Sequence, residues 1–212
     1  MTGQIIYQLL EGLSLLGVVV FAMSGALCAA DKRMDIIGFI LIGTVTGIGG
    51  GTLRDLLLGI SPVFWVQDPL SIYICIVTSI VMFFTLNLYK KRGKWILWMD
   101  AIGLVTFAIV GAETALAQTA SPLITIVMGV MTATFGGILR DTLCAEVLTL
   151  MRPEIYITCA LFASIVYVIL YKLGFDNNIV IVGAFMAGFS LRAAAIHYKL
   201  VLPGYEDHEV SK

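Results

Sequence analysis

Two short blocks carry the residues with the most chemical potential in this 212-residue chain: Gly50-Gly51-Thr52-Leu53-Arg54-Asp55 and Gly136-Gly137-Ile138-Leu139-Arg140-Asp141. Each places an arginine and a carboxylate after a glycine pair and two intervening residues, inside a stretch that is mostly apolar. Ionisable groups in such apolar surroundings are costly, and they mark an ion pathway, a proton relay or a structural pair. Successive residues on a helix point about 100° apart, so neither arginine is expected to pair with its own neighbouring aspartate. The simpler role is structural: each arginine satisfies carbonyls near the glycines, and each aspartate anchors it from another helix. Direct contact of Arg54, Asp55, Arg140 and Asp141 with a permeating ion is the alternative.

The glycines suggest why carbonyls would need a partner. Gly49-Gly50-Gly51 follows Gly47-Ile48, and Gly136-Gly137 follows Phe135. A glycine costs up to ~1 kcal/mol against alanine inside a helix, so such a run is expected to bend or locally unwind it. Irregular backbone at membrane depth must be buried in protein or line a wet cavity, where freed carbonyls can replace part of a cation's hydration shell. The rival is close helix packing, because Gly43, Gly47 and Gly51 also form consecutive GxxxG steps. Thr44, Thr46, Thr52, Thr132 and Thr134 stand near the runs. Each hydroxyl either lines a path or bonds its own helix backbone.

The remaining reactive types offer less. Cys28, Cys75, Cys144 and Cys159 have no CxxC spacing and no nearby histidine, so they read as small packing residues, not a metal site or a disulfide framework. Asp100 lies close to a basic connection, which suggests a surface ion pair; Glu113 is a further embedded or near-interface acid. His197 and His208 show no ligand spacing. Trp65, Trp95 and Trp98 fit an interfacial aromatic belt. No HExxH, GxSxG or nucleotide loop occurs, so an enzyme is not expected, nor any cofactor or metal.

What positions these blocks follows from composition. The chain is 59% hydrophobic and 13% charged, against about 25% charged in soluble domains, with a mean hydropathy of +0.99. Barrel-like alternation is absent. The expected fold is therefore an all-α membrane protein of seven transmembrane helices at about 5–29, 36–58, 69–89, 95–117, 121–144, 153–171 and 178–198. A cytoplasmic tail is expected at 199–212. The first helix lacks the basic region and cleavage site of a signal peptide and is expected to be retained. A net charge of −1 gives no footprint for nucleic acid. Lys32, Arg33, Lys90, Lys91, Arg92, Lys94, Arg152, Lys199 and Lys212 fall on one side and Lys172 on the other, with Arg54 just inside its helix, which predicts N-out, C-in.

The blocks also recur at one offset. Gly17-Val-Val-Val-Phe21-Ala22-Met-Ser-Gly25-Ala26 aligns with Gly103-Leu-Val-Thr-Phe107-Ala108-Ile-Val-Gly111-Ala112 at the 86 residues that separate the two Gly-Gly-x-x-Arg-Asp motifs. Each copy, 5–89 and 95–171, holds three spans. An odd number starts the second copy on the opposite side of the membrane, so the repeats are inverted, with 178–198 as an extra helix. In transport proteins of this kind the site lies at the repeat interface.

These paired blocks, GGGTLRD and GGILRD with the two Gly-Ala segments, resemble the bacterial glycine-transporter-domain family, which looks like the prokaryotic branch of the trimeric intracellular cation (TRIC) channels. The resemblance covers about residues 5–198. It implies a homotrimer in the cell inner membrane with a pore in each protomer, passing monovalent cations, chiefly potassium. The pore would be framed by the second and fifth spans at Gly49-Gly50-Gly51 and Gly136-Gly137. Membrane lipid is the other implied partner. This sequence departs in one place, with Phe135 where the first copy has Gly49, so the two sites need not be equivalent. The family's two labels imply different functions, a channel and a carrier of glycine or another small solute. A non-transporting scaffold is a third reading, which would have a dry, packed interior.

Overall fold

The computed structural model describes residues 2–86, 92–119, 121–148 and 155–201. Eight helices occupy them: α1 (Thr2–Asp31), α2 (Ile36–Leu58), α3 (Phe64–Gln67), α4 (Leu70–Thr85), α5 (Arg92–Thr119), α6 (Pro122–Leu143), α7 (Ile157–Lys172) and α8 (Asn177–Tyr198). Seven of these coincide with the expected spans. The exception is α3, a single turn in the connection between α2 and α4. The ends of two expected spans (87–89 and 153–154), part of the basic connection (90–91) and the tail from 202 onward lie outside the described residues.

Local chemistry sets the helix ends. Asp35 caps α2, its carboxylate accepting from the Gly38 amide at 2.8 Å. α2 stops at Gly59, whose φ of 69° lies in the left-handed region that glycine enters without penalty. Pro122 opens α6, where its missing N–H has no intrahelical partner to lose.

Five helices are long and apolar enough to cross a bilayer: Glu11–Asp31, Ile36–Leu58, Leu97–Thr119, Pro122–Leu143 and Asn177–Tyr198. Leu70–Thr85 and Ile157–Lys172 are shorter apolar helices of 16 residues each, about 24 Å at 1.5 Å per residue. The outward faces carry Ile37, Leu56, Val77, Phe84, Leu123, Ile179 and Val182, all more than half exposed. In water such a surface would aggregate; in lipid it needs no cover.

The core forms around α1 and α5, which pack on each other and on α2, α4, α6 and α7. Val18, Phe21, Leu104, Val105 and Ile109 are buried at its centre, and Phe21 meets Phe107 edge-on with ring centroids 5.0 Å apart. Packing is reciprocal at the 86-residue offset. A methyl added at Gly17 would strike Phe107, and one at Gly103 would strike Phe21; Gly25 abuts Thr46 and Ile42, as Gly111 abuts Thr132 and Met128. The repeated glycines of α1 and α5 are thus spent within the protomer, holding these helices against each other and against α2 and α6.

Candidate functional site

α2 and α6 cross at the glycine runs. A Cβ at Gly50 would collide with the Thr132 carbonyl oxygen, and one at Gly136 with the Thr46 carbonyl oxygen. Gly50 thus faces Thr132 while Thr46 faces Gly136, so the two helices run antiparallel through the contact. Both are helical at every residue, Ile36–Leu58 and Pro122–Leu143. The expected unwinding therefore does not occur. Without Cβ atoms the helices approach until backbone touches backbone, a contact that stabilises continuous helices. The other glycines seat side chains: Gly49 takes the tip of Leu139 and Gly51 the ring of Phe64, while Gly137 faces the Tyr156 hydroxyl. Leu139 against Gly49 is where the two copies diverge.

The hydroxyls divide. Thr52, Thr132 and Thr134 donate to their own helix at Ile48, Met128 and Val130, at 2.8, 2.6 and 2.9 Å. Thr46 does the same to Ile42 at 2.6 Å. These bonds occupy the donors and leave oxygen lone pairs, one of which on Thr52 accepts from Trp65 Nε1. Thr44 differs, because its buried Oγ1 has no protein partner.

Each arginine sits one turn beyond its crossing glycine. Six residues past the crossing midpoint on antiparallel helices, at 1.5 Å each, separate them by about 18 Å along the axis. Arg54 donates through Nε to Asp55 Oδ1 at 2.8 Å and through Nη2 to the same oxygen at 2.7 Å. Arg140 repeats this on Asp141 Oδ1 at 2.8 and 2.7 Å. The expectation that neighbouring residues would not pair is therefore corrected. The divergence of about 100° between adjacent positions limits short side chains, whereas the three-methylene arginine stem curls sideways and presents its fork to the adjacent carboxylate. No carbonyl of the glycine runs is an arginine partner among the described bonds.

Beyond that shared pair the two ends differ. Asp55 Oδ2 accepts from the Phe64 amide at 2.8 Å, and the Arg54 guanidinium lies 5.7 Å from the Phe64 ring centre. Trp65 Nε1 donates to Thr52 Oγ1 at 2.9 Å, so α3 is docked onto the end of α2. We expect Trp65→Phe to cost about 1 kcal/mol by removing that bond, read as a small fall in the thermal midpoint of the solubilised protein with fold retained; an unchanged midpoint would show the bond to be unimportant.

At the other end Arg140 Nη1 also donates to Asp100 Oδ1 at 2.6 Å and to Ser24 Oγ at 2.5 Å. Asp100 is 2% exposed, which overturns its reading as a surface ion pair: the helix turns it inward, away from the basic connection. The positions equivalent to Asp100 and Ser24 in the other copy are Ser14 and Val110, so this extension belongs to one end alone.

Sequence reasoning missed Arg192. It lies on α8, is fully buried, donates to the Ile155 carbonyl at 3.0 Å and stands over the Tyr156 ring at 5.1 Å. The signal was available, because an arginine in the middle of an apolar span demands buried partners. Of the other flagged residues, Glu113 is half-buried and His197 exposed; Trp65 is half-buried and Trp98 more exposed. The side chain of Trp95 and all of His208 lie outside the described residues. The four cysteines are free and buried.

Long apolar helices, lipid-ready faces and a twice-used motif define a polytopic helical membrane protein. A family model described as glycine transporter matches residues 12–87 and again 97–172. The inner membrane protein YadS of Escherichia coli K12 is 38% identical over 203 residues, covering 93% of this chain and 97% of that one. The TRIC trimeric intracellular cation channel orthologue from Rhodobacter sphaeroides superposes with a TM-score of 0.89 at 45% identity, covering 91% of this chain and 99% of that one. A prokaryotic TRIC channel solved in 0.5 M KCl gives 0.87 at 30% identity, covering 92% and 100%. The chain belongs to this glycine-transporter family, the family of the prokaryotic TRIC channels. It is a multi-pass inner-membrane protein.

Proposed function

We propose that the protein is a passive cation channel, chiefly for potassium, with one permeation path inside each protomer along the crossing of α2 and α6. The observation that carries this reading is the crossing itself: antiparallel backbone contact at Gly50 and Gly136, flanked on each side by a buried arginine held by its own aspartate. The carboxylates offset the guanidinium charge that would repel a cation. Threonine oxygens near the crossing, Thr44, Thr52, Thr132 and Thr134, supply neutral ligands of the kind that replace water around a monovalent ion. The similar Rhodobacter protein is described as a trimeric cation channel, which supports both conduction and a homotrimer here. In this reading the chain lies N-out, C-in, as inverted three-helix copies at 5–89 and 95–171 followed by 178–198, and it catalyses no reaction and uses no cofactor. Bound lipid is its expected companion.

The family description favours a second reading, a secondary carrier for glycine. Such a carrier would use Arg54 or Arg140 to hold the substrate carboxylate, yet both guanidinium groups already hold protein carboxylates. A substrate would have to displace them.

Recording of the purified protein in a planar bilayer with potassium on both sides separates the readings. We expect discrete unitary steps whose size changes in Thr44→Val, a near-isosteric substitution that removes a buried hydroxyl oxygen without a protein partner on α2. A silent bilayer from folded protein that accumulates glycine in proteoliposomes would replace the channel with the carrier.

A further inference from the structure

The contact between α1 and the C-terminal end of α6 is a ladder of polar pairs, of which only Arg140 also flanks the proposed path. Ser24, Cys28 and Lys32 follow one another at four-residue spacing on one face of α1 and its end. Ser24 accepts from Arg140 at 2.5 Å, Cys28 and Cys144 pack in one buried cluster, and Lys32 Nζ pairs with Glu146 Oε1 at 2.6 Å. The rungs above and below therefore hold the two sulfurs in register. The other copy has no such ladder: the positions equivalent to Ser24 and Cys28 are Val110 and Thr114, and Cys144 corresponds to Leu58.

We propose that Cys28 and Cys144 are a redox-active dithiol that closes into a disulfide when a peroxide reaches it, covalently joining α1 to α6. This chemistry is independent of what the protein conducts. Cys144 is itself buried, but it lies one residue beyond α6 between exposed Leu143 and exposed Ala145, so a small oxidant has only this surface layer to cross. The Arg140 guanidinium and the Lys32 ammonium sit at the neighbouring rungs, and positive charge near a thiol favours the nucleophilic thiolate. The Cys144 sulfur attacks one oxygen of hydrogen peroxide; the S–O bond forms, the O–O bond breaks and water leaves after protonation. The Cys28 sulfur then attacks the resulting sulfenic acid, the S–S bond forms, and the second water departs. Two thiols and one peroxide give one disulfide and two waters. The count of basic residues puts this end in the cytosol, where thiols rest reduced, so the link forms on oxidation and is reversed by thiol reductants.

The test is peptide mapping of the intact protein in proteoliposomes after hydrogen peroxide, with remaining thiols alkylated under denaturing conditions. The expected product is one cross-linked peptide pair containing Cys28 and Cys144, lighter by two hydrogens and released by dithiothreitol, with Cys75 and Cys159 still alkylated. In Cys28→Ser the Cys144 sulfenic acid loses its partner and should be trapped by dimedone. Full alkylation of Cys28 and Cys144 after peroxide, separate over-oxidation of each, or cross-links only between chains would overturn the proposal.

Discussion

Gly50→Ala is expected to be among the most damaging single-methyl changes in the protein, lowering stability by about 3 kcal/mol or more, at or above the upper end of the usual cost of overpacking. The added carbon would overlap the Thr132 carbonyl oxygen and lie 3.1 Å from its carbon and 3.5 Å from the Thr132 Cα. All three are backbone, so no side-chain rotation relieves the clash, and α2 and α6 must part. Gly136→Ala meets the same obstacle at the Thr46 carbonyl and should cost a similar amount. Because the two changes strain one crossing, the double variant should fall short of the sum. Gly12→Ala is the control, since nothing lies within 4 Å of its added carbon. Thermal unfolding in detergent reads all four; Gly50→Ala melting with the wild type would disprove the backbone contact.

Arg140→Met should be still more harmful. It leaves Asp100 and Asp141, 2% and 4% exposed, without the guanidinium that pairs with both, and breaking a buried ion pair from one side costs about 3–5 kcal/mol. Asp100→Asn added to Arg140→Met removes one of the stranded charges and should restore part of the loss. Arg54→Met should cost less, because Arg54 holds a single carboxylate whose other oxygen retains the Phe64 amide. The yield of monodisperse protein and its thermal midpoint report the order. Equal losses at Arg54 and Arg140 would show that the second carboxylate contributes nothing.

Most of the fold was legible because hydropathy and breaks in it dominate a chain of this kind. The seven long or apolar helices follow directly from runs bounded by Asp31-Lys32-Arg33, Ser121-Pro122 and similar punctuation. The four-residue α3 was not legible, since one turn has no periodicity; its docking depends on Asp55 and Thr52, remote in sequence from Phe64 and Trp65. The importance of the glycine runs was visible, but their consequence was misjudged. Helix propensity predicts weakness at Gly49-Gly50-Gly51, and a facing backbone overrides that local preference. The Arg-Asp blocks were found by repetition. Their partners Asp100 and Ser24 occur in one copy only, so repetition could not reveal them, and Arg192 lay outside the repeat altogether.

The crossing also sets a timetable for biogenesis. Gly50 leaves the ribosome 86 residues ahead of Gly136, a delay of about 4 to 17 s at ~5–20 residues per second. During that interval α1, α2 and then α4 enter the bilayer with a groove of bare backbone that only the second half can fill. Arg54 can settle early, because Asp55 and α3 are already made. Arg140 arrives to find Ser24 and Asp100 waiting. Nascent chains halted before residue 136 should therefore be inserted yet unassembled, and the translating cell must keep such halves from pairing with their neighbours.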